Sequence, residues 1–199
     1  MRPLVALALG ALLASAACER DPGRDVQPMA PPLGSAPVGT DTDIIPLDKV
    51  RRSQAAAVSQ RVANTEITVT YSRPVARGRE LFGGIVPYGQ VWNPGADQAT
   101  AVVFSRDVTI NGQSLAAGKY SIWVIPDPDR WTLIFSRAGD VYHTPYPGEA
   151  QDVLRLEVVP ETSSYTEVMT LDFPVVEGKE TALQFRWGTT RLSMTIAVP

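Results

Sequence analysis

The sequence predicts an all-β protein whose main domain is a single antiparallel β-sandwich of about eight to ten strands. Beyond position 47, short stretches in which apolar and polar residues alternate recur about every 8 to 14 residues, as the strands of such a fold do. Turn residues (Gly, Pro, Asn and Asp) separate these stretches, and none has the length and period of a crossover helix. We therefore expect antiparallel sheets without the βαβ units of an α/β protein.

Length and charge exclude several classes of protein before any motif is considered. The chain has 199 residues, which corresponds to one domain of ordinary size with additional segments. Its 18 Lys and Arg against 21 Asp and Glu leave no basic stripe for nucleic acid and no polybasic membrane-surface cluster. A single Cys and a single His exclude an internal disulfide, a multi-cysteine zinc site and a His-rich metal site. We expect no metal, no cofactor and no nucleic-acid partner.

Residues 1–17 have the pattern of a secretory signal peptide. Arg2 supplies a short positive region, Leu4 to Leu13 form an apolar stretch, and small residues occupy positions 14–17. The apolar stretch is shorter than the roughly 20 residues that a transmembrane helix needs. The leader therefore predicts an exported protein.

Cys18 follows the small residues directly. This arrangement resembles the lipobox of bacterial lipoproteins, in which the cysteine thiol is acylated, although Ser15 stands where that motif prefers Leu. The alternative is cleavage by the ordinary signal peptidase, which would leave a free thiol in an oxidising compartment. We expect lipidation at Cys18 and attachment to a membrane of the cell envelope, or a periplasmic protein if the alternative holds.

In this interpretation, residues 18–46 consist of the lipidated Cys18 and the tether that follows it. The segment is rich in Pro and Gly and has almost no aliphatic periodicity. Such a composition buries too little apolar surface to offset the entropy lost on ordering. We expect a disordered linker that separates the membrane from a β-sandwich domain over residues 47–199.

The strands of that domain are predicted in order along the chain. Residues 48–63 are ambiguous between helix and strand, and their second half is interpreted as the first strand. An Asn111-Gly112 pair predicts a hairpin turn, as does Gly188-Thr189 between the last two strands. The stretch 75–99 is irregular, with at most one helical turn near Arg79 to Phe82. The remaining strands are predicted at 67–71, 100–105, 108–110, 119–126, 130–136, 153–160, 165–173, 180–187 and 190–198.

The irregular stretch holds the strongest candidates for ligand binding, since functional residues concentrate on loops held by a rigid scaffold. Arginine offers a planar fork for carboxylate or phosphate, and tryptophan offers a stacking face. The alternative is structural, with Arg79 and Asp97 paired to hold the loop. The candidate ligand-binding residues are Arg73, Arg79, Trp92, Asn93 and Asp97.

Three other patterns are better explained by structure than by chemistry. The string from Gly112 to Ala116 resembles a nucleophile elbow, but it lies in a hairpin and not between a strand and a helix. His143, the only histidine, lies in a loop rich in Tyr and Pro. Asp127 and Asp129 are turn formers and supply too few oxygens for calcium. We assign no catalytic residue from these patterns.

The order of motifs from Tyr71 onward resembles the bacterial family catalogued as domain of unknown function 2911, over roughly residues 55–198. The motifs are Tyr-Ser-Arg-Pro (71–74), Gly-Arg…Phe-Gly (78–83), Pro-Tyr-Gly…Trp (87–92) and Gly-Ala-Asp…Ala-Thr (95–100). The resemblance implies an exported or lipid-anchored protein of unknown activity. The family commonly has Trp-Arg-Thr-Gly-Ala-Asn where this chain has Trp-Asn-Pro-Gly-Ala-Asp at 92–97, so a role for that arginine is lost here.

These observations favour a non-catalytic binding or envelope-associated module. The alternative from another class is a hydrolase in the Arg79, Trp92 and Asp97 region, in which Asp97 acts with Asp152 or Glu149. Paired carboxylates of that kind need to lie about 5–10 Å apart across a cleft. A purely structural envelope protein is the third hypothesis, and a filled surface at Arg79, Trp92 and Asp97 would favour it.

Overall fold

A computed structural model describes Lys49 and residues 53–199 of the chain. The predicted signal peptide, Cys18 and tether lie outside these described residues. The described part folds into two antiparallel sheets that pack as a sandwich, which confirms the predicted fold class. No helix in this part is long and apolar enough to cross a membrane.

The sandwich consists of eleven strands within the described residues, and one 3₁₀ turn, Glu149–Gln151, precedes the eighth. The strands are β1 (Ser53–Val62), β2 (Thr65–Pro74), β3 (Ala101–Phe104), β4 (Val108–Ile110), β5 (Gln113–Leu115), β6 (Gly118–Ile125), β7 (Trp131–Ser136), β8 (Asp152–Val158), β9 (Glu161–Asp172), β10 (Val176–Glu177) and β11 (Glu180–Ala197). Two of them, β5 and β10, are not predicted from the sequence, because strands of three and two residues are too short to show alternation.

Each sheet has a simple order of neighbouring strands. The first sheet is β1-β2-β3-β6-β7-β8, and the second is β10-β11-β4-β5 with β9 also paired to β11. Side chains on successive strand positions point to opposite faces. On β2 this places Ile67, Val69 and Tyr71 in the core between the sheets, as their alternation predicts.

A second, smaller core covers the opposite face of the first sheet. Trp123 alternates on β6 with the interior residues Ile122 and Val124, so its ring lies on the other face. It packs with Ile134 and Ala99, and partly buried side chains from residues 91, 141 and 146 cover this group. The loops around positions 91–99 and 141–146 are therefore packed onto the sheet.

The Asn111-Gly112 turn and the irregular stretch agree with the predictions, whereas the first strand is longer than predicted. Asn111 and Gly112 have φ of 46° and 82°, which is the geometry that an Asn-Gly hairpin turn requires. The first strand begins at Ser53, earlier than predicted. The irregular stretch stays within the predicted limit of at most one helical turn near Arg79 to Phe82, since no helix forms there and Phe82 forms a β-bridge with Val86.

The predicted hairpin at Gly188-Thr189 is wrong, because β11 runs without reversal from Glu180 to Ala197. β9 pairs with β11 on both sides of this point, from Gln184 opposite Asp172 to Arg191 opposite Glu161. The register shifts on either side of Gly188, whose φ is 59°. A β-bulge uses a left-handed glycine as a hairpin does, and here it bends one long strand.

This bulge predicts unequal effects of two glycine substitutions. Gly178 and Gly188 both have φ of 59°, but a Cβ at Gly178 meets no atom within 4 Å. A Cβ at Gly188 would lie 2.7 Å from Leu81 Cδ1. We expect Gly178→Ala to lower the free energy of unfolding by about 1 kcal/mol and Gly188→Ala by about 2–3 kcal/mol.

Urea unfolding of the two variants measures this difference. Gly178→Ala serves as the control for the backbone penalty alone. Equal losses in the two variants would show that Leu81 moves aside without cost and that only the backbone conformation matters at Gly188.

Candidate functional site

A cleft of about 290 Å³ lies where the irregular stretch meets the bulge of β11. We call it the aromatic cleft, because four of its nine lining residues carry aromatic rings. None of the nine is Asp, Glu, Asn or Gln. The lining residues are Arg79, Leu81, Phe82, Tyr88, Tyr165, Trp187, Gly188, Thr189 and Thr190.

Arg79 is the one charged residue of the lining. Its Nε donates to the Ala76 carbonyl oxygen at 2.9 Å and its Nη2 to that of Val75 at 2.7 Å. A guanidinium has five N–H donors, so these two bonds fix the side chain and leave three donors for another acceptor. Arg79 thus holds the loop after β2 and presents positive charge at the cleft.

Two exposed tyrosines form walls of the aromatic cleft. Tyr88 is 42% exposed and Tyr165 is 57% exposed. The Tyr88 ring packs over Gly83, where a Cβ would lie 2.8 Å from its Cε2 atom. Glycine at position 83 is therefore needed for this placement of the ring.

Tyr165 is held by a chain of hydrogen bonds on β9. Its hydroxyl donates to Glu167 Oε2 at 2.6 Å, and Glu167 Oε1 accepts from the Arg77 backbone N–H at 2.7 Å. The hydrogen bond to Glu167 raises the pKa of Tyr165. The ring is consequently a fixed, uncharged surface at neutral pH.

Trp187 lines the same cleft but is only 2% exposed. Its indole Nε1 is buried and has no hydrogen-bond partner in the described part of the chain. Most buried polar groups in proteins have a partner, so an unpaired indole donor requires an explanation. It is an unsatisfied donor of the core, because the nitrogen atom itself is shielded from solvent and is not presented to the cleft.

Trp92, predicted as a ligand residue, belongs to the packing behind the cleft. It is half-buried and stacks on Trp187 with ring centroids 5.9 Å apart and an interplanar angle of 13°. Edge contacts to Phe82 at 6.0 Å and Phe185 at 6.4 Å complete its surroundings. The Trp92 ring supports the Trp187 ring and is not among the cleft residues.

Asn93 lies 1% exposed beneath the same loop. Its Nδ2 donates to the Ile122 carbonyl at 2.7 Å, and its Oδ1 accepts from the Thr100 N–H at 3.0 Å. The amide nitrogen and the amide oxygen therefore both have hydrogen-bond partners within the protein. This arrangement makes Asn93 a brace between the loop and β6.

Asp97 lies away from Arg79, and the ion pair considered from the sequence does not form. The guanidinium of Arg79 bonds to carbonyl groups, while Asp97 lines a separate open groove of about 650 Å³ beside Lys119 and Asp140. The Asp97 carbonyl accepts hydrogen bonds from the His143 N–H at 3.0 Å and from its ring Nδ1 at 2.8 Å. His143 therefore fastens one loop to another.

Arg73 connects the two sheets. Its Nε donates to the Met169 carbonyl and its Nη2 to Thr170 Oγ1, each at 3.1 Å. Nearby, the Tyr71 hydroxyl and Leu171 backbone are also hydrogen-bonded at 3.2 Å. Of the five predicted residues, the structure places only Arg79 in the aromatic cleft.

The carboxylates proposed for a hydrolase have other partners. Asp152 bonds to Arg155 Nε at 2.7 Å and to the Tyr146 hydroxyl at 2.6–2.7 Å, and its side chain is only 8% exposed. Glu149 pairs with the same arginine at 3.1 Å. Burial and the bond to Asp152 raise the pKa of Tyr146. No group of three or more His, Cys, Asp or Glu in the described part could hold a metal ion.

Sequence reasoning missed Tyr88, Tyr165 and Trp187. Tyr88 stands in the Pro-Tyr-Gly motif, which the family resemblance contains, so this residue could have been chosen. Tyr165 and Trp187 are about 90 residues or more from Arg79 and reach it only through the pairing of β9 with β11. Nothing in their local sequence indicates that contact.

A family model described as protein of unknown function (DUF2911) matches residues 53–196. No curated protein and no solved structure matches the chain. The match extends from the first strand almost to the end of β11, so it includes every residue of the aromatic cleft.

Proposed function

Because the chain belongs to DUF2911, a family of proteins of unknown function, we propose a function from its own geometry: a non-catalytic module that binds a ligand in the aromatic cleft. One observation carries this proposal. Exposed Tyr88 and Tyr165 line one cleft together with Arg79, whose guanidinium has N–H donors outside its bonds to Val75 and Ala76. A concave site with aromatic walls and a few convergent polar groups is typical of ligand recognition.

The chemistry of the lining supports binding over catalysis. Thr189 and Thr190 supply hydroxyl groups, but no His, Asp, Glu or Lys lines the cleft to activate them. A hydroxyl is a weak nucleophile unless a base or a metal lowers its pKa. The cleft therefore has groups that hold a ligand and lacks groups that would transform it.

A thermal-shift screen of the full chain against sugars, nucleotides, peptides, lipids and divalent metals tests this proposal. A ligand present at 100 times its Kd adds about 2.7 kcal/mol of stability and raises Tm measurably. We expect at least one ligand to raise Tm, and Tyr165→Ala to abolish that shift. Tyr142→Ala is the matched control, because Tyr142 is also exposed and lies outside the cleft. The proposal would be contradicted if every ligand that raises the Tm of the unaltered protein raised the Tm of Tyr165→Ala by the same amount.

We further propose that the module acts outside the cytoplasm, attached to a membrane of the cell envelope through Cys18. The leader pattern of residues 1–17 and the position of Cys18 directly after it support export and acylation. A multiply acylated cysteine suffices for stable attachment, whereas one acyl chain binds a membrane only marginally.

Substitution of Cys18 tests the anchor. We expect the unaltered protein to sediment with membranes and Cys18→Ser to be released to the soluble fraction or to remain unprocessed. Mass spectrometry of the mature N-terminus provides the second readout. A mature protein that begins before Cys18, or carries a free Cys18 thiol, would exclude lipidation and leave a soluble periplasmic protein.

A further inference from the structure

We infer that β1 is a dimerisation edge: two copies of the chain pair their β1 strands antiparallel about a two-fold axis at Ala57, which joins their first sheets. β1 pairs with β2 over its full length of ten residues, and no strand of the described chain pairs with its other edge. No residue of β1 lines the aromatic cleft, so dimerisation here does not depend on the proposed ligand binding.

The open edge of β1 lacks the features that usually prevent association between strands. Exposed edges are normally protected by charged residues, Pro, bulges or very short strands. β1 pairs with β2 without a register shift, and residues 53–60 contain no charged residue and no Pro. By contrast, β8 at the opposite edge of the same sheet exposes Arg155 and Glu157. The first sheet is therefore open to another strand at β1.

The odd-numbered residues of β1 direct their backbone groups to this open edge. Successive residues of a strand direct their N–H and C=O groups to opposite edges. The Glu66 carbonyl accepts from the Ser105 N–H at 3.0 Å on the side of β3, so the next residue, Ile67, faces β1. Ile67 lies opposite Gln60, which therefore bonds to β2 and leaves Arg61 and the other odd-numbered residues facing outward. The Gln60 amide donates to the Arg61 carbonyl at 2.8 Å, which agrees with a carbonyl that no strand has paired.

The inner face of β1 is self-complementary about Ala57. A two-fold axis perpendicular to the sheet keeps the same face of both strands on the same side. With the axis at Ala57, Gln54 lies opposite the partner's Gln60, and Ala56 lies opposite the partner's Val58. Ala56 and Val58 are partly buried against the main core, so the pairing covers apolar surface at its margin. An axis at Ala56 would instead place Gln54 opposite the partner's Val58 and lose this match.

The outer face of β1 fits the same axis. Ala55, Ala57 and Ser59 are small and exposed, so two strands can approach without a clash of side chains. Arg61 lies opposite the partner's Ser53, and like charges, which destabilise a pair when directly opposite, are kept apart. Since the odd-numbered residues are the ones that face outward, this pairing supplies about ten hydrogen bonds between the copies. The contact is the same on both copies and closes at two.

Sedimentation of the full chain in detergent measures this association. At about 100 μM, a dimer with a Kd of about 10 μM is mostly assembled, so we expect the mass of two chains. Ala57→Pro removes an N–H that faces away from β2, and edge strands tolerate Pro at such positions. We expect this variant to fold, as far-UV circular dichroism would show, and to associate at least about tenfold more weakly. Ala57→Ser keeps the N–H and is the matched control, which should dimerise like the unaltered protein.

Two cysteine variants test the register. Ala57→Cys places two thiols opposite one another with about 5.5 Å between Cα atoms, which is within the range of a disulfide. Ser59→Cys places them four positions apart, about 14 Å, which is too far. We expect mild oxidation to produce a covalent dimer of Ala57→Cys and little or none of Ser59→Cys. Ser59→Cys also controls for disulfides formed through Cys18.

Two results would overturn the inference. A monomer at about 100 μM would show that the edge stays open or is covered by another segment of the same chain. Equal cross-linking of the two cysteine variants, or cross-linking of neither, would place any dimer contact elsewhere, and this readout decides even if Ala57→Pro fails to fold. Neither result changes the expected binding at the aromatic cleft, which the ligand screen tests separately.

Discussion

Replacing Trp92 by alanine is expected to lower the free energy of unfolding by about 3–5 kcal/mol, as truncation of packed aromatic residues does. The Trp92 ring stacks on Trp187 at 5.9 Å and meets the edges of Phe82 and Phe185. Its backbone also forms hydrogen bonds with Val124 in both directions, each at 2.8 Å. The cavity would open directly behind the aromatic cleft, so ligand binding should weaken as well.

Urea unfolding of two further variants separates the packing of the Trp92 ring from the contribution of the exposed cleft surface. Trp92→Phe keeps a ring against Trp187 and should lose less than half as much stability as Trp92→Ala. Tyr88→Ala removes an exposed wall of the cleft and should cost less than about 1 kcal/mol, as surface substitutions do. A stability of Trp92→Ala near that of the unaltered protein would instead show that the Trp187 ring does not depend on Trp92 for support.

The second large effect is expected at Asn93. Asn93→Ala removes the partner of two buried backbone groups, the Thr100 N–H and the Ile122 carbonyl. Each unsatisfied buried group costs about 1–3 kcal/mol, so we expect a loss of about 2–5 kcal/mol. Tm and the urea midpoint should both fall.

A more conservative change at the same position separates hydrogen bonding from packing. Asn93→Asp preserves shape but cannot donate to Ile122 when ionised, and it places a charge at a site that is 1% exposed. We expect it to be at least as destabilising as Asn93→Ala at neutral pH and to recover as the pH is lowered and the carboxyl is protonated. Gln113→Ala, at an exposed polar position of β5, is the control and should change stability by less than about 0.5 kcal/mol. A stable Asn93→Ala variant would show that water replaces the amide.

The sandwich could be predicted because several of its strands alternate buried and exposed residues, as β8 does, and because one turn has a recognisable sequence. Ile67, Val69 and Tyr71 face the core as alternation requires, and Asn111-Gly112 forms the predicted turn. Gly188 could not be assigned from the sequence, since a hairpin and a bulge both use glycine with positive φ. Only the pairing of β9 along both halves of β11 distinguishes them.

The candidate site was harder to predict for a physical reason. An arginine in an irregular loop can bind a ligand or the carbonyl groups of its own loop, and Arg79 has donors enough for both. Asn93 lies in the same irregular stretch, but it is buried and its amide forms hydrogen bonds with backbone groups. The cleft is completed by Tyr165 and Trp187, which distant strand pairing brings to Arg79.

The position of β11 in the chain has a consequence for when the protein can fold. β11 is the last strand along the described chain, and β4, β9 and β10 all pair with it. The second sheet therefore cannot assemble while a ribosome is still making the preceding residues. All-β folds with such distant pairings take milliseconds to seconds to fold. The sandwich is therefore completed only after residues 180–197 have left the ribosome, although all strands of the first sheet precede them in the chain.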